Sequence, residues 1–381
     1  MKKSSRGHVD PFIVMDVMEA ARAAEAKGRH IIHMEVGQPS TPAPKAARDA
    51  LVRAMDEDAM GYTVALGLPA LREGIAALYK DWYGVTLDPN RVVVTPGSSG
   101  AFILAFTALF EAGDKVGLGE PGYPSYRQIL KALNLTPVGL PTKPENRLQP
   151  VPADIPDGLA GLITASPANP SGTMLDHAAL EGLIGTCRDK DTSFIADEIY
   201  HGLQYDGRAV SALELTDDVY VINSFSKYFS MTGWRVGWMV VPEDHVRQIE
   251  RLAQNMFICP PHASQIAALG ALQGRDELDA NLATYATNRQ LMLEGLPSAG
   301  FDKIAPPDGA FYIYADVSDH TNDSRAFAAE ILEEAGVAVT PGLDFDPVRG
   351  ATTLRFSYAR STEDIREGLA RLTTFMAARA G

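Results

Sequence analysis

Residues 219–229 read VYVINSFSKYF, a short apolar run from Val219 to Asn223 followed at once by polar and aromatic residues around one lysine, Lys227. A run this short, rich in β-branched side chains, marks a strand buried on both faces. Similar runs recur at Val92 to Thr95, Lys115 to Leu118, Thr136 to Leu140, Leu159 to Ala165, Ser193 to Ala196 and Val236 to Val241, with helix-like stretches between them. That alternation predicts an α/β fold whose mostly parallel mixed sheet is covered by helices. The last third changes character, with strands expected at Ala310 to Ala315, Val337 to Thr340 and Thr352 to Ser357 in a smaller α+β unit. The expected division is a large domain over 45-285 and a small domain from 1-44 and 286-381. A helix from about Asp276 to Leu296 would bridge them, and another, Ile13 to Ala26, ended by Gly28, would form an N-terminal arm.

With 46% hydrophobic and 22% charged residues in 381, the chain has ordinary globular usage, which argues against long disorder or a fibre. A net charge of −14 with no cluster of Lys and Arg disfavours nucleic acid as a partner. Cys187 and Cys259 supply neither a disulfide framework nor a zinc spacing, so no metal is expected and a reducing cytoplasm fits. The basic, polar start from Met1 to His8 is not followed by an apolar signal core, and no segment approaches membrane-spanning length.

Ligands of open α/β sheets bind beyond the carboxyl ends of strands, so polar residues placed directly after apolar runs are the candidates for chemistry. In Thr95-Pro96-Gly97-Ser98-Ser99-Gly100, amides at a helix start and two hydroxyls suit a phosphate, although a Gly/Ser turn that merely caps a helix has the same composition. Tyr123, between Pro121 and Pro124, is placed to stack on a planar ring or on its own prolines. Asn169 is presented by the turn Asn169-Pro170-Ser171-Gly172. Asp197, ending a buried strand, needs a partner: a protonated ring nitrogen, a helix cap or an ion pair. Lys227, flanked by Phe225, Tyr228 and Phe229, is poorly solvated, which lowers its pKa and frees the amine for Schiff-base chemistry.

In this order, with Gly233-Trp234-Arg235-Val236-Gly237, Val36-Gly37-Gln38-Pro39, Gly61-Tyr62 and Leu354-Arg355-Phe356-Ser357, these motifs resemble the class I/II aminotransferases, over about Val36 to Ala359. Those are fold-type I enzymes dependent on pyridoxal 5'-phosphate (PLP). The resemblance implies ping-pong transfer of an amino group between an L-amino acid and a 2-oxo acid in a homodimer with shared active sites. Lys227 would hold the cofactor as a Schiff base and move the proton, and Asp197 would keep the pyridine nitrogen protonated. Tyr200 and Asn169 would bond the ring's phenolic oxygen, with Tyr123 stacked on the ring. Ser98, Ser99, Ser224, Arg235 and, from the neighbouring subunit, Tyr62 would hold the phosphate. Arg355 would clamp the substrate carboxylate beneath the loop of Gly37; without the resemblance, a surface salt bridge is the plainer reading of Arg355.

The chain departs from the pattern in two places. Gln254 stands near where some aspartate aminotransferases carry an arginine for the distal carboxylate, and the following Met256-Phe257-Ile258-Cys259-Pro260-Pro261 is apolar. After Pro341-Gly342 the chain reads Leu343-Asp344-Phe345-Asp346-Pro347 where small residues are usual. A β-lyase on the same scaffold and a cofactor-binding sensor without turnover are the alternatives to transamination.

Overall fold

The computed structural model describes residues 1–380. Seven strands form the main sheet in the order Val92–Thr95, Gly237–Val240, Tyr220–Ser224, Ser193–Asp197, Gly161–Ala165, Lys115–Glu120, Thr136–Pro141. Gly237–Val240 runs antiparallel to both neighbours and every other pairing is parallel. Its central strands are buried along almost their whole length, as a sheet covered on both faces requires. Helix ends follow local chemistry. Asp176 accepts the Ala179 N–H (2.8 Å) to start the helix His177–Asp189, while Pro69 opens and Gly84, at φ 73°, closes Pro69–Tyr83.

A second sheet has the order Thr340–Pro341, Thr353–Ser357, Tyr312–Asp316, Lys303–Ile304, all antiparallel. The run expected as one strand from Val337 to Thr340 is two. Val337–Ala338 pairs in parallel with Ile32–His33, and after Val339 the chain joins the four-stranded sheet. All four residues are buried, so no alternation in the sequence betrays the switch. The helix expected to bridge two domains runs Arg275–Ser298 and buries Leu278, Tyr285, Met292 and Leu296. Its Asn288 amide donates to the carbonyls of Tyr358 (3.1 Å) and Arg360 (2.8 Å), fixing the helix to the chain beyond Thr353–Ser357. Among the described residues no helix is long and apolar enough to cross a membrane.

The N-terminal helix Ile13–Glu25 lies on its own chain, packing Ala21 with Ile31, Leu332 and Ala338. Phe12 gives it no side-chain cap. The unpaired first-turn amides of Ile13 and Val14 donate instead to the two carboxylate oxygens of Asp344 (2.9 and 3.1 Å). Asp344→Ala should cost about 1 kcal/mol, by analogy with lost N-caps. Denaturant unfolding should register that loss, together with faster proteolysis ahead of residue 26. Unchanged stability and cleavage would show that the carboxylate does not hold the helix.

Candidate active site

Most of the candidate residues lie just beyond the carboxyl ends of strands of the main sheet, where each strand hands over to a loop or helix, while Arg355 comes from the second sheet. The helix Gly97–Leu109 starts two residues after Thr95, and its first-turn amides have no partner within the helix. Gly97 has φ 69°, and a Cβ there would lie 2.5 Å from Arg235 Nη2, so only glycine lets the guanidinium rest against the helix start. Arg235 is anchored by Nη1, which donates to the Thr232 carbonyl at 2.9 Å. Gly237 is equally constrained, since a Cβ would come within 3.0 Å of the Ser98 nitrogen. Ser224 ends its strand buried, with Oγ 2.9 Å from Ser226 Oγ and 3.1 Å from the Val236 carbonyl. Ser98 and Ser99 on the first helical turn are more open.

Asp197 is the last residue of its strand and 3% exposed. One carboxylate oxygen accepts the Tyr126 hydroxyl and the other the Ile199 amide (3.0 Å). Burial pushes its pKa up to about 6, against the lowering effect of those two hydrogen bonds and of Lys227. Lys227 Nζ donates to the Gly37 carbonyl at 2.6 Å. Burial, then the Arg355 charge, lowers its pKa to about 7, while Asp197 opposes the shift. The aromatic surroundings come from elsewhere than the sequence suggested. Phe225 packs on Phe229 and Trp238, and Tyr228 bonds Asp279, so the chain neighbours turn into the core or away. The rings beside the amine are Tyr200 (5.5 Å) and Phe311 (5.8 Å).

Arg355 corrects the surface reading, because it is 2% exposed and sandwiched between the rings of Tyr312 (4.3 Å) and Phe345 (4.7 Å). Nη1 donates to Asn169 Oδ1 at 2.8 Å, and Nη2 to the Glu35 carbonyl and Thr340 Oγ1. Nε is buried without a partner, and the groups that this guanidinium does meet are an amide, a carbonyl and a hydroxyl, none of them a carboxylate. A buried, uncompensated cation with an unused donor is a site that asks for an anion.

Asn169 thus orients Arg355, and the Tyr200 hydroxyl sits 2.7 Å from that of Tyr312. Tyr123 meets Tyr126 edge-on at 5.2 Å and Phe12 at 5.9 Å. Gly37 belongs to the irregular segment whose carbonyls hold Lys227 and Arg355. Tyr62 stands apart, 83% exposed. Four participants received no role from the sequence: Tyr126, Phe311, Tyr312 and Phe345. For Tyr312 a signal existed, because Tyr312 and Tyr314 alternate along one face of a strand that pairs with the strand of Arg355. A cleft of about 660 Å³ lined by Pro121, Arg147, Lys303, Tyr314 and Arg349 borders none of the candidate residues.

The model of the family described as aminotransferase class I and II matches residues 29–372. The chain belongs to that family. It is 46% identical to the valine–pyruvate aminotransferase of Mycobacterium tuberculosis, with 97% of each chain covered. A protein of known structure from Silicibacter pomeroyi is 71% identical and superposes with a TM-score of 0.95 over the whole of both chains. The aspartate aminotransferase from Thermus thermophilus, solved with maleate, is 30% identical with a TM-score of 0.91, covering 98% of this chain and 100% of the other. The chain is therefore an aminotransferase of fold type I, and enzymes of this family work with PLP in general.

The lowered pKa of Lys227 has a measurable consequence. Between about 7 and the ordinary lysine value of 10.5 the unfolded chain binds the proton that the folded chain does not, so the group's contribution to stability rises with pH across that window. In cofactor-free protein, Lys227→Met should therefore be stabilising near neutral pH, with the advantage shrinking towards pH 10.5. Denaturant unfolding at several pH values checks this, and a pH-independent difference would mean that the amine is not desolvated.

Proposed function

We propose that the enzyme transfers the amino group of an apolar L-amino acid to a 2-oxo acid in two half-reactions, with PLP carried on Lys227. The observation that carries this reading is the pairing, in one dry site, of a lysine amine poised near neutrality with a buried arginine that lacks its anion. The residues fit the cofactor. The open helix start and Arg235 suit a phosphate, Asp197 suits a protonated ring nitrogen, and Lys227 suits an aldehyde. When bound, PLP supplies a reactive aldehyde and an electron-withdrawing pyridinium ring.

The side chains account for the rest. Asp197, kept dry and anchored by Tyr126 and Ile199, would hold its negative charge against the ring nitrogen and keep the proton there. Lys227 Nζ, with its pKa near 7, would accept the proton from the substrate α-carbon and return it, a transfer typically worth ~10²–10⁴ in rate. Arg355, held flat between two rings and fixed by Asn169, would grip the α-carboxylate and set the angle at which the α-carbon meets Lys227. Tyr200 would donate to the ring oxygen beside Asn169, and Tyr123 would cover the ring. Ser98, Ser99 and Ser224 would complete the phosphate site, with Tyr62 of the partner subunit. The exposure of Tyr62, beside exposed Val64 and Ile258, supports a homodimer. The boundaries 45-285 for a large domain, with 1-44 and 286-381 as the small one, belong to the same proposal.

The preference for apolar donors rests on what surrounds the clamp. Tyr312 and Phe345, which flank it, are aromatic, and so are Tyr123 and Phe12, which pack edge-on to each other. The name of the Mycobacterium tuberculosis relative points the same way. In half-reaction spectra, valine should bleach the visible band of the bound cofactor at least about 10-fold faster, per concentration, than aspartate. Equal or faster reaction with aspartate would remove the apolar preference. Release of ammonia and pyruvate from cysteine conjugates, with no acceptor required, would replace transamination by lyase chemistry. Lys227→Ala should lose the visible band and nearly all turnover while staying folded, and wild-type rates would refute its role.

A further inference from the structure

Tyr312 enters the reading above only as one of the two rings that flank Arg355, yet it touches three of the groups that reading depends on. It opens the strand Tyr312–Asp316 and is 1% exposed. Tyr312 pairs with Ser357 and Tyr314 with Arg355 across the antiparallel ladder, so Tyr312 lies diagonal to Arg355 on the same face. Its ring centroid is 4.3 Å from the guanidinium carbon. Its hydroxyl is 2.7 Å from that of Tyr200. A Cβ at Gly37 would fall 1.7 Å from the same oxygen, so the phenol occupies the space any side chain at 37 would need, and it is the Gly37 carbonyl that holds the Lys227 amine.

We propose that Tyr312 is a positioning residue for transamination: its ring holds Arg355 flat for the substrate carboxylate, and its hydroxyl aims Tyr200 at the cofactor's ring oxygen. This rests on the proposed function, on Arg355 and Tyr200 in particular. The two contacts have different physics. A guanidinium stacked on an aromatic face keeps its planar fork in one orientation, and the stack survives loss of the phenol oxygen. Between two hydroxyls one donates and the other accepts. When Tyr312 donates, Tyr200 keeps its own proton for a further acceptor and becomes the stronger donor. A donor to the ring oxygen favours negative charge there, which makes the neighbouring imine nitrogen easier to deprotonate.

The test uses the holoenzyme, comparing wild type with Tyr312→Phe and Tyr312→Leu by pH titration of the visible absorption band and by steady-state kinetics with valine. Tyr312→Phe should raise the titration midpoint by about one pH unit and leave KM within about twofold of wild type. Tyr312→Leu should show that shift and also raise KM about tenfold or more. A residue that only filled space would leave the titration midpoint unmoved when the phenol oxygen alone is removed. An unmoved midpoint in Tyr312→Phe overturns the hydroxyl's part, and a wild-type KM in Tyr312→Leu overturns the ring's. If Tyr312→Leu does not fold, the midpoint in Tyr312→Phe decides alone. Absence of a visible band in wild type removes the cofactor reading and this inference with it, a failure distinct from a wild type that titrates normally beside an identical Tyr312→Phe.

Discussion

Keeping water away from charge is the constraint on which the rest of this structure depends. Asp197, Lys227 and Arg355 are each placed where their ionised forms are costly, and each shows it differently. Asp197 has its pKa raised to about 6, Lys227 has its lowered to about 7, and Arg355, which cannot give up its proton, is left with an unused donor. A fold that has only to be stable avoids such arrangements, because hydrophobic replacement of buried ions is often neutral or stabilising. Here the cost is spread over scaffolding: Tyr126 and the Ile199 amide on Asp197, the Gly37 carbonyl on Lys227, Asn169 and two aromatic rings on Arg355.

The two sheets divide this labour. The parallel sheet brings Asp197 and Ser224 to its carboxyl edge, with Lys227 in the loop beyond, while the antiparallel sheet contributes Arg355 and Tyr312. The irregular segment around Gly37 lies between them, with one carbonyl for the lysine and another, two residues earlier, for the arginine. The side chain missing at Gly37 and the phenol of Tyr312 are complementary, and neither can be understood from its own element. The Phe345 ring on Arg355 and the Asp344 carboxylate on the N-terminal helix come from one loop, the one that follows Pro341-Gly342. One loop thus serves both the clamp and the N-terminal helix.

Much of this was legible before any coordinates. The strand at 219–223 and its fellows are short, apolar and β-branched, a pattern that few other folds accommodate, so the α/β sheet could be read with ends displaced by a residue or two. Family membership could be read from the order of the motifs. What escaped was whatever depends on two distant segments meeting. The rings around Lys227 were sought beside it in the chain and are found at Tyr200 and Phe311. Arg355 could be read as the clamp only through the resemblance, since its burial between two rings depends on distant segments, and the break at Val339 is invisible because both halves of that run are equally apolar.

The claim on which the account turns is that one amine, at position 227, carries the cofactor. Reducing the holoenzyme with borohydride and mapping the digest by mass spectrometry tests it directly, since reduction makes the imine permanent. The account predicts a pyridoxyl-phosphate adduct on the peptide containing Lys227 and no other lysine modified to comparable extent; an adduct fixed on a different lysine, with Lys227 recovered free, would contradict it.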